Sequence, residues 1–186
     1  MSDSVATPES SLKSFAESCA NLLVELNERV VFAESCTGGM LSSTLAGVPG
    51  ISSYHCGSLV TYRPNSKRRW LGVNKSTINQ YTTESNEVVE EMALGALKMT
   101  PEASWSVAIV GHLGPDAPKD KDGHVWIAIG RRSRKGNLKV KSISEHVLAG
   151  TDRILRQRAA TETALTLFSR ALVNKSSKDN GKRRTA

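Results

Sequence analysis

A chain of 186 residues that is 39% hydrophobic and 23% charged has the size and make-up of one domain with a single core. No apolar run approaches the roughly 18–20 residues that span a bilayer, and the N-terminus lacks the basic start and apolar middle of a secretory signal, so a cytoplasmic protein with no membrane partner is expected. Of the net charge of +7, residues 175–186 hold +4; that stretch of Lys, Arg, Ser, Asp and Asn reads as a disordered basic tail able to make weak, salt-sensitive contact with nucleic acid.

The three cysteines (Cys19, Cys36, Cys56) and four histidines show no ligand spacing, so neither a disulfide, a structural zinc nor another cofactor is expected. Residues 1–9 read as a disordered leader and residues 10–174 as a single domain.

Taken in order, residues 11–26 place apolar side chains three and four apart and predict an amphipathic helix. Val30-Val31-Phe32-Ala33 reads as a short buried strand. A polar break, Glu34 to Gly39, leads into helical spacing over residues 40–46. A Gly-Val-Pro-Gly turn precedes a second strand at 57–62. Pro64 is suited to opening a short helix over 65–71, stopped at Gly72, and residues 74–81 read as another. Ser85 is the expected N-cap of a longer helix ending before Pro101.

A third strand at 105–110 runs into the glycine turn Gly111-His112-Leu113-Gly114-Pro115. Strands at 125–129 and 138–147 form a hairpin, and a last helix covers 151–173. Strand and helix mostly alternate, which gives an α/β fold: a three-layer sandwich with a mixed, mostly parallel sheet covered by helices.

The glycine-bearing junction after the first strand is the place to look for chemistry. Backbone N–H groups there are approachable by a negatively charged oxygen, either a phosphate or a developing oxyanion, and Ser35 stands at its mouth. Tyr62 and Lys67 follow the second strand, and ligands bind at the C-terminal edge of open α/β sheets. Ser35 needs a base. Lys67 qualifies if burial and the neighbouring Arg63, Arg68 and Arg69 lower its pKa; residue types alone favour one cation in an exposed run, with Tyr62 only packing. His112 is a second candidate. Cys36, a thiol at a helix N-terminus, is a rival nucleophile, and Glu34 either orients polar neighbours or faces solvent.

Ala33-Glu34-Ser35-Cys36-Thr37-Gly38-Gly39 resembles the signature of the CinA C-terminal domain family, which includes stand-alone nicotinamide mononucleotide amidohydrolases. The similarity continues through Gly57-Ser58-Leu59-Val60-Thr61-Tyr62, Lys67, Ser85, Gly111 to Pro115, Gly123-His124-Val125-Trp126 and Asp152-Arg153, over roughly residues 11–173. The resemblance implies a Ser35-Lys67-Tyr62 arrangement, with Ser35 as nucleophile, and backbone N–H groups near Thr37, Gly38 and Gly39 lining the oxyanion or substrate site. Glu34, Cys36, Ser85, Gly111, Gly114 and Arg153 complete the expected substrate-binding set.

The implied reaction converts the carboxamide of nicotinamide mononucleotide to the acid with release of ammonia, without a metal. The implied partners are a pyridine nucleotide and at least one further copy of the chain. Family members usually carry Gly-Ile-Ala-Gly-Pro where this chain has His112-Leu113 between its glycines, and Gly-Asp-Arg where it has Thr151-Asp152-Arg153. Such changes leave a second expectation in place, a nucleotide-binding or regulatory module of the same fold without turnover.

Overall fold

The computed structural model describes residues 8–183, with side chains described for 12–175. Five strands form one sheet in the order β2-β1-β3-β4-β5: β1 (Val30–Glu34), β2 (His55–Val60), β3 (Trp105–Gly111), β4 (His124–Arg132) and β5 (Leu138–Val147). β1 pairs in parallel with both β2 and β3, while β3–β4 and β4–β5 are antiparallel. Four strands therefore point the same way and only β4 is reversed. The mixed, mostly parallel sheet is what the alternating pattern predicts.

Six helices cover the sheet: α1 (Pro8–Leu26), α2 (Met40–Ala46), α3 (Pro64–Leu71), α4 (Lys75–Tyr81), α5 (Asn86–Met99) and α6 (Arg153–Arg183). The period of two along β1 sorts its side chains between two cores. Val30 and Phe32 pack with Leu23, Leu41, Leu45, Leu165 and Phe168 of α1, α2 and α6. Val31 and Ala33 pack with Leu71, Val89, Met92 and Leu97 of α3 and α5. The continuous apolar run of β1 is thus explained by burial on both faces.

The boundaries shift at four places. α1 begins at Pro8, three residues before the expected start and inside the expected leader. β2 begins and ends two residues before the expected 57–62, so Thr61 and Tyr62 lie just beyond the strand. β4 extends to Arg132, and the backbone of α6 continues to Arg183, past the expected end at residue 173 and through most of the expected tail. Of the expected leader, residues 1–7 lie outside the described residues, as do residues 184–186 of the tail. All three cysteines are free. Among the described residues no helix is long and apolar enough to cross a membrane.

β1 leads to β2 on one side of it, and the chain then crosses to β3 on the other. This reversal opens a crevice at the carboxyl end of β1. The backbone continues the sheet slightly past the strands there: Thr61 N–H donates to Glu34 O at 2.7 Å and Ser35 N–H to Ile109 O at 3.1 Å. Ser35 is thereby fixed between the ends of its two neighbours.

Close packing of α3 on α5 holds the layer that supports this crevice. A Cβ placed on Gly95 of α5 would lie 2.0 Å from the carbonyl oxygen of Leu71. Gly→Ala inside a helix ordinarily stabilises by about 1 kcal/mol, but here backbone would have to yield, and overpacking of that kind costs about 1–3 kcal/mol. Gly95→Ala is expected to destabilise the protein by a net of up to about 2 kcal/mol, read as a lower urea midpoint with an unchanged slope.

Candidate active site

Glu34 closes the strand and is completely buried. One carboxylate oxygen accepts from the Thr37 hydroxyl (2.8 Å) and from the N–H groups of Gly39 and Leu41 (both 3.0 Å). The other accepts from Ser42 N–H (3.0 Å) and the Ser58 hydroxyl (2.9 Å). A buried carboxylate is tolerable only when its lone pairs are met in this way, and its charge also complements the positive end of α2. Glu34 is a bracket holding the junction together and does not face the cleft.

That bracket revises the expected anion nest. Gly39 N–H is taken by Glu34, and Gly38 N–H donates to Ser35 O at 3.1 Å. Neither is open to a ligand. Gly38 and Gly39 serve instead through backbone angles, φ 62° and 103°, in the left-handed region where a Cβ is strained. Of the expected donors Thr37 N–H remains, joined by Cys36 N–H; neither has an oxygen acceptor among the described residues. These two follow Ser35 directly, where an oxyanion formed at Ser35 would emerge.

Lys67 lies on the first turn of α3, behind Pro64 and with Ser66 Oγ accepting from Arg63 N–H. Four residues separate it from Leu71, so the two share a helix face, and that face is turned into the protein. Lys67 is 0% exposed, whereas Arg68 and Arg69 are exposed. Its Nζ sits 2.8 Å from Ser35 Oγ and 3.2 Å from Thr61 O. Burial holds its pKa below the ordinary lysine value, with the charge of Glu84 pulling the other way. The pairing in one contact of a hydroxyl and an amine inclined to lose its proton is that of a nucleophile and its base.

Tyr62 is not part of that contact. Its hydroxyl accepts from Arg153 Nη2 at 2.7 Å and forms no hydrogen bond with Ser35 or Lys67 among the described residues; the side chain is 56% exposed. Arg153 also donates to Gly114 O, so one guanidinium ties the end of β2, the loop after β3 and the start of α6 together. Ser35, Cys36, Tyr62, Gly111, Gly114 and Arg153 all line one cleft of about 220 Å³.

Ser85 stays out of the cleft lining and caps α5, its hydroxyl accepting from Val88 N–H at 3.3 Å. Burial pushes the Cys36 thiol up to about 12, so it remains protonated and is no competitor to Ser35. His112 enters the cleft with its ring edge-on to Trp126 at 6.2 Å between centroids, and among the described residues it forms no hydrogen bond with Ser35.

Two residues of the site carried no sequence signal. Glu84 lines the cleft from the segment before α5, and Gln157, in the second turn of α6, donates from Nε2 to Cys36 O at 3.0 Å. A lone acid before an N-cap and a lone amide within a helix match ordinary surface residues, and only the tertiary fold sets them at the site.

Residues 12–172 match the family model described as CinA C-terminal domain. The chain belongs to that family. Among relatives, a CinA-like protein of Endomicrobium trichonymphae is 35% identical over 87% of this chain and 36% of its own length. One from Fervidobacterium nodosum is 46% identical over 58% of this chain and 27% of its own. The chain thus spans about a third of the length of the curated CinA-like relatives it matches. The CinA fold is matched over nearly whole chains in crystal structures. A competence damage-inducible protein A from Klebsiella pneumoniae aligns with TM-score 0.79 at 27% identity, covering 87% of this chain and 97% of that one. A competence/damage inducible protein from Agrobacterium tumefaciens gives 0.79 at 30% identity over 87% and 95%.

Two predictions follow from the geometry. Glu34→Ala would leave three N–H groups and two hydroxyls without their acceptor, each worth about 1–3 kcal/mol when buried. Stability should fall by at least about 3 kcal/mol, seen as a melting point lower by roughly 6–12 °C for a chain of this size. Separately, Glu84 favours the protonated form of Lys67, so Glu84→Gln should move the acid limb of the pH–rate profile to lower pH, since the amine would then lose its proton earlier. An unmoved limb would separate Glu84 from Lys67.

Proposed function

We propose that the protein is an amidohydrolase that converts nicotinamide mononucleotide to nicotinic acid mononucleotide and ammonia. The observation that carries this reading is the 2.8 Å contact between Lys67 Nζ and Ser35 Oγ inside a water-poor pocket. In the reactive form Lys67 is the neutral amine and accepts the Ser35 proton as Oγ attacks the carboxamide carbon. The tetrahedral oxyanion is received by Cys36 N–H and Thr37 N–H. Lys67, now an ammonium, returns the proton to the departing nitrogen, so that ammonia leaves and an ester remains on Ser35. A water molecule activated by the same amine then cleaves the ester to the carboxylic acid.

Arg153 supplies the binding side of the proposal. Its guanidinium is held by two neutral oxygens, of Tyr62 and Gly114, and among the described residues it forms no salt bridge, so its charge is available to a phosphate. On this reading Tyr62 acts at the mouth of the cleft by orienting Arg153.

Ammonia release from nicotinamide mononucleotide by the purified protein, with mass identification of the acid, tests the proposal. Ser35→Ala should abolish release. Lys67→Met should lower kcat by about 10²–10⁴-fold, the usual worth of general-base assistance. Tight nucleotide binding with no ammonia from the unmodified protein would instead favour a binding module without turnover. Unchanged release by Ser35→Ala would remove Ser35 from the mechanism.

A further inference from the structure

Glu84 holds a carboxylate in the wall of the cleft that contains Ser35. Its side chain is 20% exposed, and the nearest basic nitrogen paired with it is His112 Nε2 at 3.9 Å, beyond hydrogen-bond reach. Its hydrogen bond is to the hydroxyl of Thr83, its neighbour in the chain, and among the described residues no Lys or Arg forms a salt bridge with it. A partly desolvated acid without a cation partner is unfavourable by itself. Its charge also works against loss of the proton from Lys67, which runs counter to use of that amine as a base. Such a group makes sense where the ligand brings the missing positive charge. Arg153 lines the same cleft, so a cation from the protein and an anion from the protein face one bound molecule.

Resting on the amidase reading above, we propose that Glu84 is a specificity-determining residue that selects a carboxamide carried on a positively charged ring, an N-substituted pyridinium, in a molecule whose other end is anionic. The ring's charge answers Glu84 and the phosphate answers Arg153. Binding of the cation also offsets the field of Glu84 at Lys67, which favours the neutral amine once substrate is in place. After hydrolysis the new carboxylate is repelled by Glu84, which helps product leave.

The test separates ring charge from everything else in the ligand. Binding of nicotinamide mononucleotide and of its 1,4-dihydro form, which has a neutral ring and the same phosphate, is measured by calorimetry on Ser35→Ala protein. The measurement is repeated with Glu84→Gln and Glu84→Asp added. The expected result is a preference for the cationic ring that falls roughly tenfold with Gln, a modest value for one partly screened charge pair, and is largely kept with Asp. Affinity for the neutral ring should be the same in all three, which also reports that the variants are folded. A preference that does not change with Gln overturns the proposal, as does failure of the cationic form to bind.

Ammonia release by protein with Ser35 intact is scored independently. A Glu84-dependent ring preference without ammonia would sink the amidase reading and keep the charge selection. Ammonia release with an unmoved preference would do the reverse.

Discussion

The site depends first on a buried carboxylate. Glu34 accepts five hydrogen bonds, from the N-terminal turn of α2, from Thr37 and from Ser58 on the neighbouring strand. Strand β1 must stop and helix α2 must start within five residues, and the unpaired N–H groups that such a junction creates need an acceptor. Water or a ligand would leave the junction free to move. An acceptor supplied by the chain itself, covalently attached one residue before Ser35, fixes the serine between the ends of β2 and β3.

Lys67 depends on the same frame for its chemistry. An ammonium removed from water is strongly disfavoured, and the protein can either neutralise it with an acid or accept a lowered pKa. The partners here are a hydroxyl and a carbonyl oxygen, both neutral, so the second course prevails. Had a carboxylate such as Glu34 been turned toward Lys67, the amine would stay charged and be of no use as a base. Glu34 satisfies its lone pairs within the junction, which keeps the buried carboxylate next to Ser35 in the chain apart from the buried amine that touches its hydroxyl.

Much of this was legible in the sequence, for identifiable reasons. β1 and β5, the α2 boundaries and the Ser85 cap follow local rules of periodicity and capping, and the structure agrees with them. The meeting of Ser35 and Lys67 was suggested by their places near strand ends and implied by the family resemblance, since residue types alone left Lys67 as one cation in an exposed run. Local reading failed where a side chain had two possible acceptors or donors. Glycines 38 and 39 looked like ligand donors because nothing in a linear sequence shows that Glu34 takes the N–H of Gly39 and the carbonyl of Ser35 that of Gly38. Tyr62 looked like a partner of Lys67 because it is five residues away, yet a guanidinium 91 residues further along holds its hydroxyl. Glu84 and Gln157 had no signal at all, since neither occupies a position that its own element needs.

The cleft therefore divides into a part set by the core and a part set by loops. Ser35, Lys67 and the free N–H groups of Cys36 and Thr37 are held by strand ends, by α3 and by Glu34, where any shift would disturb packing on both faces of the sheet. Tyr62, Glu84, His112 and Arg153 stand on segments outside the strands or at a helix start, joined to one another by a few polar contacts. Rigid packing suits groups whose separation must hold to a fraction of an ångström. Segments outside the strands suit charge and shape at the rim, where residues change with less effect on the Ser35–Lys67 contact. His112 stands in the second part, while Leu113 beside it is buried in the core with Phe32 and Ile109, so the loop after β3 belongs to both.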